Sequence, residues 1–284
     1  MRLVSFEHSG RPSWGAMTGE GIVDLRSALG ERYADLRSVL RAGALAAVES
    51  AVSAARPSFD ADEITFLPVL PNPEKILCIG LNYEMHRRET GRNVTEYPTV
   101  FTRFADTQVG HGGSLVRPLA SNEFDYEGEL AVIVGKRGRH IPKAAAMSHV
   151  AGYSCYNDAS VRDFQRHSSQ FTAGKNFPAT GGFGPCLVTP DEVGDAHALP
   201  IRTILNGEVM QSANTSQLIF DIPTLIAYLS TFTELRPGDV IATGTPGGVG
   251  FKRDPQVFMN PGDEIAVEIS KVGTLVNRVV SESL

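Results

Sequence analysis

Cysteine is scarce in this chain. Cys78, Cys155 and Cys186 are its only three in 284 residues, far apart and odd in number. No CxxC or Cys/His spacing occurs, which argues against a zinc site. Reduced thiols in a cytoplasm are the simplest reading. Long apolar runs are also missing, and none approaches the ~20 residues that span a bilayer. The opening Met-Arg-Leu-Val-Ser-Phe-Glu-His carries charge too early for a secretory signal. A basic excess is missing too: Lys and Arg number 26 against 32 Asp and Glu, for a net charge of -6. With no basic stripe, neither nucleic acid nor membrane is an expected partner. An anionic ligand would need local positive charge, from a metal ion and one or two Lys or Arg, to override the overall field.

The composition is that of a folded globular protein, with 42% hydrophobic and 20% charged residues. Two units are expected. Residues 1–68 read as a small α/β domain, with strands at Leu3 to Phe6 and Ile22 to Leu25. From Ala34 to Ala55, apolar residues follow at helical spacing, and Gly43 breaks the run into two helices. Pro68, Pro71 and Pro73 then mark a junction that is neither helix nor central strand. Residues 69–284 are rich in strand signals: Lys75 to Ile79, Glu129 to Val134, Asp239 to Thr243 and Asp263 to Ile269. Pro-Gly-Asp triplets at Pro237 and Pro261 fit type II turns before the last two. Helices are few, around Met85 to Glu89 and Ile222 to Leu229. The fold class is mainly β (α+β) with peripheral helices and no βαβ rhythm.

The most informative segment is Asp125-Tyr-Glu-Gly-Glu-Leu-Ala-Val-Ile-Val-Gly135. Residues two apart share a strand face, which places Glu127 and Glu129 together, with Asp125. Adjacent carboxylates raise each other's pKa, and a hard divalent cation removes that conflict. Oxygen ligands suit Mg²⁺, Mn²⁺ or Ca²⁺ rather than zinc. The pair alone would equally serve as the solvated end of an edge strand; the apolar run behind it points to a buried strand. Asp158 is a candidate third ligand, although alone it reads as a turn or helix cap.

His86 and Glu89 are three apart in a helix-like stretch and would share a face, the arrangement of a base and its orienting carboxylate. Arg87 and Arg88 beside them fit an ordinary surface helix equally well. Lys175, in a Gly-rich stretch, would hold a substrate carboxylate or steady an enolate, or simply be solvated. Thr243-Gly-Thr-Pro-Gly-Gly-Val-Gly250 lacks the dinucleotide spacing and reads as a tight loop lining a pocket.

As an ordered set over roughly residues 70–275, these motifs resemble the fumarylacetoacetate hydrolase family. They are Gly-Leu-Asn-Tyr with His86 and Glu89, Asp-Tyr-Glu-Gly-Glu, Tyr-Asn-Asp158, Gly-Lys175 and Thr-Gly-Thr-Pro-Gly-Gly-Val-Gly. The resemblance implies the family's mixed β-sandwich roll behind a small N-terminal domain, and a homodimer. It implies Mg²⁺ or Mn²⁺ on Glu127, Glu129 and Asp158, with Ca²⁺ as a further option. It implies a catalytic dyad of His86 and Glu89 on a mobile lid, substrate contact at Lys175, and Thr245 near the substrate carboxylate. Arg103, standing where many members have Lys, keeps the charge but changes the hydrogen-bond geometry, as a substrate contact. The loop after Lys175 also departs.

The expected activity is hydrolysis of a carbon–carbon bond in a small 2-oxo acid of acylpyruvate type, such as fumarylpyruvate or maleylpyruvate. His86 would activate water and pyruvate would leave as a stabilised enolate. The alternative is a 2-oxo acid decarboxylase or isomerase passing through the same enolate. A non-catalytic binder of chelated 2-oxo acids is a third class, which would need neither His86 nor Glu89.

Overall fold

Strands account for 36% of the chain and helices for 24%, so the fold is mainly β as expected. The structure is a computed structural model, and it describes residues 1–93 and 95–283. Two sheets form the frame. The larger runs, edge to edge, through Gly21–Asp24, Arg11–Thr18, Arg2–His8, Gly181–Val188 and Val150–Asn157. It continues through Gly128–Val134, Val240–Ala242, Ile76–Gly80 and Thr99–Arg103. Along this path only Val240–Ala242 and Ile76–Gly80 run parallel. The smaller sheet places Glu208–Asn214, Pro200–Leu205, Glu264–Ile269, Gly273–Ser281 and Ser114–Arg117 side by side.

Gly128–Val134 is buried at every residue because both of its faces are covered. Leu130, Val132 and Val134 pack with Ile201, Val267 and Ile269 of the smaller sheet and with Ile226 of the helix Ile222–Phe232. Ala131 and Ile133 point the other way, into a core shared with Trp14, Leu36 and Val39. The two-residue period thus divides one strand between two cores. That is why its sequence is an unbroken apolar run rather than an alternation.

The N-terminal residues build their strands onto the larger sheet: Arg2 and Leu3 pair with Val188 and Leu187. Leu3, Trp14 and Leu36 share a core with Ile76, Ala131 and Val240. The proline-rich stretch carries the chain from Thr65–Phe66, paired with Arg2–His8, to Ile76–Gly80, on the opposite flank of that sheet. The strand Arg11–Thr18 was not foreseen, because Gly10, Pro12 and Gly15 all read as breakers. The two anticipated turns are present, with Gly238 and Gly262 at φ of 90° and 100°. The helical run from Ala34 resolves into Leu36–Arg41 and Leu45–Ala54, separated at Gly43. Among the described residues, no helix is long and apolar enough to cross a membrane.

Leu130 is fully buried in the doubly covered strand. Leu130→Ala should therefore cost about 2–5 kcal/mol. Urea unfolding of the two proteins checks this, and a loss below ~1 kcal/mol would show that the site collapses around the smaller side chain.

Candidate metal and proton-transfer site

Backbone register brings the acidic residues together. Gly128 pairs with Asn157 across two antiparallel strands. Glu127 and Glu129 flank Gly128, and Asp158 follows Asn157. The Asp158 amide donates to the Glu127 carbonyl at 2.8 Å, and the Glu127 amide to Asn157 Oδ1 at 3.0 Å. One carboxylate oxygen from each of Glu127, Glu129 and Asp158 lies within 4.8 Å of the others, and all three residues are buried.

Three buried cations surround this triad. Arg103 Nη1 reaches Asp158 Oδ1 at 2.8 Å. Lys175 Nζ bridges Glu127 Oε2 at 2.8 Å and Asp158 Oδ2 at 2.7 Å. Arg162 joins Glu127 at 2.6 Å and Asp125 at 2.8 Å. Glu129 forms no ion pair among the described residues; the Gly244 amide donates to it at 2.8 Å. Burial pushes the Glu129 carboxyl well above the ordinary 4.5, and the charges of Asp158 and Glu127 push it further. Burial also opposes ionisation of Glu127, but Lys175 and Arg162 outweigh it and hold that carboxyl at about 2. An oxygen-only donor set in which one buried carboxyl has no cationic partner fits a hard divalent cation such as Mg²⁺ or Mn²⁺, with Ca²⁺ sharing the same ligand preference.

Several side chains lie elsewhere than the sequence pattern placed them. Asp125 does not share a strand with Glu129: it pairs with Ser160 in a separate two-stranded ladder. Its carboxylate receives the Gly250 and Phe251 amides as well as Arg162. Lys175 ends a one-turn helix, Thr172–Lys175, and is 1% exposed rather than solvated. Arg103 holds Asp158 and is absent from the cavity lining; its other partners are the Ala159 carbonyl, Thr180 and Thr107.

His86 and Glu89 sit on one face of the helix Glu84–Glu89. His86 Nδ1 lies 2.8 Å from Glu89 Oε1, and Glu89 Oε2 accepts from the Gly248 amide at 2.9 Å. A carboxylate on Nδ1 fixes the proton there and leaves Nε2 with its lone pair. His86, Glu127, Glu129, Arg162, Lys175 and Thr245 line one cavity of about 770 Å³, a volume suited to a small molecule. Thr245 faces it with its hydroxyl already engaged, donating to the Gly128 carbonyl and accepting from Gln211. Arg162 is the residue that sequence reasoning passed over. Its place four residues beyond Asp158 was the available signal. A second hollow of about 700 Å³, by Phe6, His8 and Phe59, is lined by none of these groups.

Residues 75–280 match the family model of the fumarylacetoacetate (FAA) hydrolase C-terminal region. The chain belongs to the fumarylacetoacetate hydrolase family. The oxaloacetate tautomerase FAHD2A, mitochondrial, of Bos taurus is 41% identical over 288 residues, covering 99% of this chain and 92% of that protein. Among solved family structures, the fumarylacetoacetate hydrolase of psychrophilic Exiguobacterium antarcticum superposes with a TM-score of 0.84 at 32% identity, over 99% of this chain and 100% of that one. The maleylpyruvate hydrolase of Sphingobium sp. SYK-6, solved with manganese(II) and pyruvate, gives 0.83 at 29% identity, over 100% of both chains.

The unpaired carboxyl of Glu129 makes a testable demand. A carboxyl held above its ordinary 4.5 in the folded state contributes stability that is present below pH 4.5 and is lost as pH rises through the raised value. Metal-free Glu129→Gln should therefore be more stable than metal-free wild type at neutral pH, with the gap widening from pH 4.5 upward. Mn²⁺ should raise the Tm of wild type and leave the variant unmoved. Thermal melts with and without the ion decide it, and a wild-type Tm indifferent to Mn²⁺ would remove the metal site.

Proposed function

We propose that this chain is a divalent-metal enzyme that moves a proton between carbon and oxygen in a small 2-oxo diacid, a keto–enol tautomerase of oxaloacetate type. One observation carries the reading. A histidine backed by a carboxylate shares a single cavity with Glu127 and Glu129 of a buried carboxylate triad, so a proton carrier and a charge-stabilising centre meet the same substrate. The kinship to oxaloacetate tautomerases over nearly the full chain turns this arrangement toward isomerisation.

In this reading His86 Nε2 takes a proton from the carbon next to the 2-oxo group and returns it to the oxygen, and Glu89 steadies the imidazolium between the two transfers. When bound to Glu127, Glu129 and Asp158, Mg²⁺ or Mn²⁺ supplies Lewis-acid stabilisation of the charge that develops on the 2-oxo oxygen. Lys175 adds a fixed ammonium beside the same carboxylates. Arg162 offers a guanidinium at the cavity wall whose Nη2 has no protein partner. Arg103 serves the site by holding Asp158. Thr245 fixes the loop edge where a substrate carboxylate would lie. A homodimer in a reducing cytoplasm, with no nucleic-acid or membrane partner, completes the proposal; the three free cysteines support the compartment.

Hydrolysis of an acylpyruvate is the second reading, with His86 activating water instead. The maleylpyruvate hydrolase structure with manganese and pyruvate favours it. Oxaloacetate and acetylpyruvate separate the two when offered to protein loaded with Mg²⁺ or Mn²⁺. Accelerated decay of the enol absorbance of oxaloacetate, reduced ~10²–10⁴-fold in His86→Ala, is the expected result. Pyruvate release from acetylpyruvate without that acceleration would install the hydrolase, and CO₂ from oxaloacetate would point to decarboxylation.

A further inference from the structure

The dyad does not stand on its own helix alone. Of the two bonds that fix the Glu89 carboxylate, one comes from the Gly248 amide, so the loop carrying Gly248 decides where Glu89 points. That loop is tied down from below. Tyr126 Oη donates to the Gly248 carbonyl at 3.1 Å. Arg253 Nε donates to Tyr126 Oη at 3.1 Å, and Arg253 Nη2 to the Met210 carbonyl at 2.6 Å. Gly248 has φ +101°, and a Cβ there would meet the same Met210 oxygen at 2.4 Å, so the loop is seated with no slack. The next anchor is Asp125, which accepts the Gly250 and Phe251 amides. Tyr126 thus lies between a residue that holds the loop and Glu127 of the triad.

We infer that Tyr126 and Arg253 are positioning residues for the His86 base, acting through the Gly248 backbone on Glu89. The tripeptide Asp125-Tyr126-Glu127 therefore sets both halves of the site, the triad through Glu127 and the dyad through Tyr126. Burial, aided by Asp125, pushes the Tyr126 phenol up to about 12, so the hydroxyl remains a donor at neutral pH. The inference rests on His86 being the base of the proposed reaction.

Wild-type turnover of oxaloacetate and acetylpyruvate is measured first, and whichever is consumed becomes the assay substrate. Tyr126→Phe and Arg253→Met should each lower kcat about tenfold with KM within twofold, since misplacing a catalytic group slows the reaction without loosening the substrate. Arg253→Lys should recover part of the loss. In a Glu89→Ala background Tyr126→Phe should cost nothing further, because the two act as one unit. Equal losses in both backgrounds, or a kcat that falls only with the folded fraction in thermal melts, would overturn the inference. If neither substrate is consumed, the proposed function fails, and amide exchange at Gly248 still decides the bracing. Exchange that is slow in wild type and faster in Tyr126→Phe supports it; equal exchange overturns it.

Discussion

Pairing Gly128 with Asn157 sets Glu127, Glu129 and Asp158 against one another in the dry interior, where like charges repel at full strength. Much of the surrounding architecture answers that repulsion. Arg103 comes from the edge strand Thr99–Arg103, Arg162 from the helix after the Ser160 bridge, and Lys175 from a one-turn helix packed beside it. Each brings a buried positive charge that would be intolerable without the triad. The carboxylates and the cations are each other's condition for burial. Glu129 is the one carboxyl of the triad without a cationic partner among the described residues, and burial opposes its ionisation.

The upper half of the site follows a different principle. The helix Glu84–Glu89 is short and lies at the cavity wall, and the orientation of its His86–Glu89 pair is set by the Gly248 amide of the glycine-rich loop rather than by core packing. Asn82 ties the base of the helix to that loop, donating to the Thr243 carbonyl at 2.7 Å and accepting the Phe220 amide at 2.8 Å. A rigid floor of charge and a stapled wall bearing the base are separate problems, solved on either side of one cavity.

The acidic strand was legible because a two-residue period and an apolar run are local features, and both survive folding unchanged. The His86–Glu89 spacing was legible for the same reason. The environments of Lys175 and Arg103 were not, since the sequence gives a charged side chain no direction. Lys175 read as solvated on its own because the carboxylates that bury it lie 48 and 17 positions away. Arg103 was expected on the substrate, and in the structure it holds Asp158. Asp125 was misplaced by carrying strand periodicity two residues too far, past the break at Tyr126 and Glu127. The resemblance supplied the family and the metal chemistry; whether the base moves a proton or activates water depends on substrate, which no motif in the chain encodes.

The pairing of Arg2 and Leu3 with Val188 and Leu187 gives the N-terminal strands a protective role. Without them the Leu187–Val188 end of the strand Gly181–Val188, whose other end pairs with Gln108 and Val109, would present unpaired amides and carbonyls, the kind of edge onto which other chains add themselves. The sheet ends instead in the short strand Gly21–Asp24, which offers little edge for another chain to extend.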